Sequence, residues 1–185
     1  MPALRFFLGA AVAFLVWWYA TLFYDGALAF AAERILQFDQ RLCNAHLVAD
    51  ERKVEVTPHL CVAPTATIPA DQLTYNMILF GALFAMRFRS FQSFFAAFFV
   101  LVVSHVLSLV LSVEATYAAR VGAWSERHYG GLESDLWVGA EFWWRIVGML
   151  ALVFVMWWLT LGPIFQPARE SAAPRPKRAA AKGRR

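Results

Sequence analysis

The longest uninterrupted run of apolar positions lies at 91–113, FQSFFAAFFVLVVSHVLSLVLSV, and carries no formal charge. At about 1.5 Å of rise per residue, such a run crosses a hydrocarbon core of about 30 Å as a helix. Arg87 and Arg89 precede it and Glu114 follows it, flanks that suit the two faces of a bilayer. Further apolar segments lie at 4–24, 68–86 and 142–164. In the second of these only 73–86 is strongly apolar, and a full crossing has to draw in Asp71, Gln72 and Asn76 near one end. The pattern predicts an all-α integral membrane protein with four transmembrane helices. The short basic turn at 87–90 folds the second and third of them into an antiparallel hairpin spanning 68–113.

Between the spans the period changes. Leu28, Ala32, Ile35 and Leu42 approximate one helical face, so the first helix is expected to continue past the apolar run at 1–24. The apolar pieces LV and VEV either side of ADERK at 47–56 then suggest a small hairpin within the polar segment 25–67. VAPTATIPADQ at 62–72, with Pro64 and Pro69, predicts an extended connector. The segment 114–141 is expected as a loop with a turn at Gly130 and Gly131. Trp143, Trp144, Trp157 and Trp158 mark the two interfaces of a last span at 142–164. The tail 165–185 is rich in Pro, Ala and basic residues and is expected to be disordered.

Charge then orients the chain. Only 16% of the 185 residues are charged, against about 25% in soluble domains. With the N-terminus inside, the cytoplasmic pieces hold most of the Lys and Arg residues and a single acid, Glu170. By the positive-inside rule both termini are cytoplasmic, and 25–67 and 114–141 lie on the far side of a bacterial inner membrane. The basic tail is expected to meet anionic membrane lipid, and no folded basic module accompanies it to suggest nucleic acid.

Cys43 and Cys61 both fall in the outside segment, where an oxidising envelope permits a disulfide. Closing a loop of that size is worth about 3 kcal/mol in the chain-entropy model. Metal binding with His46 and His59 is the alternative for these cysteines; the wide spacing and the compartment favour the disulfide and no metal.

Candidate chemistry is sparse. Ser104, Ser108 and Ser112 recur every fourth residue, which predicts a helix-packing seam. His105 sits at its edge and is the candidate cofactor ligand, since an ionisable group inside a membrane is a site hypothesis by default. Depth along the spans groups it with Asn76, Glu141 and Arg145 as a polar intramembrane cluster, and Glu141 and Arg145 can pair along one helix. No HExxH, GxSxG or phosphate-binding glycine loop is present, and Ser104 and His105 diverge by about 100° around their helix. No catalytic residue is assigned, and no cofactor is expected.

The layout of an N-terminal anchor, a strand-like outside segment, the entry LTYNMILFGALFAM at 73–86, a basic turn and two further spans resembles the exosortase H-associated membrane proteins. That resemblance implies an accessory role in envelope protein sorting beside a separate membrane transpeptidase. It carries no catalytic residue onto this chain, and the exosortase enzyme itself is excluded because its membrane-level Cys, Arg and His set is not here: Cys43 and Cys61 are both in the loop. The expected function is a non-enzymatic inner-membrane accessory subunit partnered by another integral membrane protein. A subunit that binds a cofactor or handles protons through His105 is the alternative.

Overall fold

Apolar and small residues carry the first helix, α1 (Pro2–Leu36), well past the apolar run with which it begins. In the computed structural model, which describes residues 2–42, 44–58, 63–88 and 90–161, its second half turns a buried stripe toward a small sheet. That stripe is Leu28, Ala29, Ala32 and Leu36; Ile35, expected on it, is exposed.

The sheet is an antiparallel meander of β1 (His46–Asp50), β2 (Lys53–Thr57) and β3 (Ala66–Pro69). Asp50 pairs with Lys53 across the turn at Glu51 and Arg52, so the alternation sends Leu47, Val54 and Val56 inward. The segment expected as a connector supplies β3 instead. Ala66 and Ile68 are buried on either side of exposed Thr67, and the strand pairs with the open edge of β2. An all-α description is therefore corrected to a mostly helical chain with a three-stranded sheet. Cys43 and Cys61, the expected disulfide, lie outside the described residues, as does His59.

The strand runs into a single turn, α2 (Asp71–Thr74), followed by α3 (Asn76–Met86). At 11 residues α3 is about 16 Å long, roughly half a hydrocarbon core. Three helices are long and apolar enough to cross a membrane: Ala3–Leu36, Phe91–Ala119 and Gly131–Thr160. Four spans are not shown. The reason is local: Ile68 and its neighbours spend their backbone hydrogen bonds on the sheet, and helix begins only after Pro69.

α3 lies antiparallel against the first half of α1, with Gly9 and Ala13 facing Ala85 and Gly81. Small residues at this spacing allow helix backbones to approach closely. α4 (Phe91–Ala119) starts at a serine cap, Ser90 Oγ accepting from the Ser93 amide at 3.1 Å. After the short α5 (Ala123–His128), α6 (Gly131–Trp143) passes through a π-helical turn, Trp144–Gly148, into α7 (Met149–Leu161). Phe80, Phe84, Leu101 and Val153 fill the core at one end of the bundle. At the sheet end, the Tyr117 hydroxyl of α4 donates to the carbonyls of Pro64 (2.8 Å) and Val56 (3.3 Å), pinning the sheet to the helices.

Candidate functional site

The four residues grouped by depth separate into two polar sites. In the first, His105 is completely buried between α1, α3 and α4. Its Nε2 lies 2.5 Å from Asn76 Oδ1, and its Nδ1 lies 2.7 Å from the Tyr24 hydroxyl. A carbonyl oxygen only accepts, so Nε2–H donates to Asn76 and the Tyr24 O–H donates to Nδ1. The ring is thus satisfied at both nitrogens as a neutral imidazole. Neither nitrogen is open to a metal or haem iron unless one of these bonds breaks. Asn76 Nδ2 has no partner among the described residues.

The second site centres on Glu141, buried between α4 and α6. Arg120 Nη2 donates to its Oε2 at 2.9 Å, and Arg145 Nη1 stands 3.3 Å from its Oε1. The Ser112 hydroxyl donates to Oε1 at 3.4 Å. These groups line a cavity of about 450 Å³ with Gln72 and Thr116. Two guanidinium groups against one carboxylate leave it with an excess positive charge.

Ser104, Ser108 and Ser112 are all buried. The Ser104 hydroxyl returns to the Leu101 carbonyl at 2.7 Å, and the Ser108 hydroxyl points at Met149 Sδ, 3.4 Å away. The stripe therefore meets α6 and α7. Ser108→Leu is expected to overpack this seam and cost about 1–3 kcal/mol. Phe99→Leu, on an exposed ring of the opposite face, should change stability by less than about 0.5 kcal/mol. Thermal melting of the two variants in detergent checks the pair; a Ser108→Leu protein that melts like the unmodified chain would place the seam elsewhere.

His46 pairs with Glu33 at 2.8 Å, and no group of three or more metal-ligating side chains occurs among the described residues. Tyr24, Arg120 and Asp25 were not singled out by the sequence. Tyr24 reads as one more interfacial aromatic, and Arg120 falls in an expected loop that α4 in fact reaches. Asp25 is fully buried, and neither carboxylate oxygen has a hydrogen-bond partner among the described residues. Its only signal is an acid placed directly after the apolar run. A third polar cluster lies at the sheet end. The Tyr129 hydroxyl donates to Glu114 at 3.1 Å, and Arg41 stacks on the Tyr129 ring while pairing with Glu133. Burial, then the Glu114 charge, pushes the Tyr129 hydroxyl above its ordinary range, so it stays a donor.

Comparison with models of known families, with curated proteins and with solved structures finds no match. The fold defines a chain of three membrane-length helices, one half-length helix and a sheet braced on their extensions.

Proposed function

We propose that this chain is a non-enzymatic accessory subunit of a bacterial envelope system. It sits in the inner membrane with both termini cytoplasmic and the sheet outside, and α3 serves as a partial fourth crossing. The carrying observation is the closed Tyr24–His105–Asn76 network, in which the intramembrane histidine spends both nitrogens on the fold. Such a histidine stiffens a scaffold and has no nitrogen left for general-base or ligand chemistry. The layout resemblance supplies the finer reading, a partner of an exosortase-type transpeptidase.

Co-expression with such a transpeptidase tests this. The expected result is a complex that survives size exclusion and shows no absorption band beyond that of its aromatic residues. A stoichiometric haem or pigment band, or failure to associate, would overturn the reading. Asp25 favours a second reading, a proton-handling subunit, because a buried carboxylate with no hydrogen-bond partner among the described residues is costly to keep charged. In that case Asp25→Asn would leave assembly intact and abolish proton movement in reconstituted vesicles.

A further inference from the structure

We propose that the cavity between β3, α4 and α6 binds a phosphate group, presented at the depth of the lipid headgroups. Its two arginines are underused. Each guanidinium carries five N–H donors, and Arg120 and Arg145 meet only Glu141 among the described residues. Both arginines line a space of about 450 Å³, with Gln72 and Thr116 beside them. Two planar guanidinium forks lining one space suit a tetrahedral oxyanion, which accepts paired N–H bonds. Glu141 keeps the pair from repelling itself and leaves the site one positive charge in excess, matched to one phosphodiester.

Two further features place the site. Counting from Phe91, Ser112 stands about 31 Å along α4, close to the thickness of a hydrocarbon core of about 30 Å. The cavity is thus level with headgroup phosphates if the charged turn at the other end of α4 marks the opposite interface. The π-helical turn Trp144–Gly148 lies in its wall and contains Arg145. In an α-helix, positions four apart drift by about 40°. The wider turn takes up part of that drift, so Glu141 and Arg145 share a face with buried Met149 and Val153. Such turns recur at functional sites because they re-aim one side chain without ending the helix. None of this depends on which partner enzyme, if any, the chain serves.

The test uses the full-length protein in a neutral detergent. Four probes are compared by thermal shift at equal ionic strength: phosphatidylglycerol, diacylglycerol with the same acyl chains, inorganic phosphate and chloride. Native mass spectrometry counts retained lipid. The expected result is saturable stabilisation and one retained molecule with phosphatidylglycerol, and neither with diacylglycerol. Stabilisation by inorganic phosphate alone would assign the site to a free oxyanion and not to a lipid. No response to either phosphate probe would overturn the proposal.

The basic tail at 165–185 attracts anionic lipid by itself, so variants separate the two contributions. Arg120→Gln should weaken phosphate-dependent binding by about tenfold or more, the loss of a charge-assisted bond. Arg127→Gln, on exposed α5, should leave it unchanged. Arg145→Lys keeps the charge and the Glu141 pair while losing the fork. It should bind more weakly than the unmodified chain even if Arg120→Gln fails to fold. Equal binding by Arg145→Lys and by every folded variant would overturn the assignment to this cavity.

Discussion

Gly81→Val is expected to unseat α3 from α1 and lower the stability of the bundle sharply. A Cβ at Gly81 would stand 2.5 Å from the Ala13 Cβ, and one at Gly9 would stand 2.3 Å from the Ala85 Cβ. A Cβ is fixed to the backbone, so no rotamer relieves either clash and the helices themselves must separate. Overpacking typically costs about 1–3 kcal/mol, and more where backbones must move. Separation would also stretch the bond from Trp17 Nε1 to Thr74 Oγ1, 3.0 Å long, near the upper end of the same contact. Gly139→Ala provides the contrast. A Cβ there meets nothing within 4 Å, and alanine gains up to about 1 kcal/mol in helix propensity. Melting followed by tryptophan fluorescence should place Gly81→Val well below the unmodified protein and Gly139→Ala at or above it. The double change Ala13→Gly with Gly81→Ala should recover more stability than Gly81→Ala alone. If it does not, α1 and α3 do not touch at this point.

Much of the framework was readable from periodicity, and the misreadings have physical causes. An uncharged run at 91–113 between basic and acidic flanks can hardly be anything but a long apolar helix, and α4 is that helix. The apolar pieces LV and VEV either side of the polar ADERK suggest a hairpin, and β1 and β2 form it. Hydropathy could not show where 68–86 changes from strand to helix. Ile68 is as apolar in a buried strand as in a span, and Pro69 is compatible with either connector or strand end. The polar cluster was grouped by depth, a coordinate along the membrane normal that says nothing about position around the bundle. His105 and Asn76 share one interface, whereas Glu141 and Arg145 belong to another with Arg120. Tyr24 and His105 are 81 positions apart, and only the packing of α1 against α4 brings them together.

That packing also makes the first site a unit whose parts are not independent. His105→Leu is expected to destabilise the fold by several kcal/mol, because it removes the partner of the partly buried Tyr24 hydroxyl and of the fully buried Asn76 carbonyl. Each buried polar group left unsatisfied costs about 1–3 kcal/mol. Exchanging all three partners, Tyr24→Phe with Asn76→Leu and His105→Leu, removes the polar atoms together and fills the same space with apolar ones. Such a complete replacement can be nearly neutral, so the triple variant should melt closer to the unmodified protein than the single one does. Melting temperatures of the single, double and triple variants in detergent measure this directly. Losses that simply add from one substitution to the next would show that the three side chains do not act together. If the triple variant folds and still associates with the proposed partner, the network is scaffold. If it folds but no longer supports the proposed partner's reaction, His105 has a role in function that its satisfied nitrogens do not reveal.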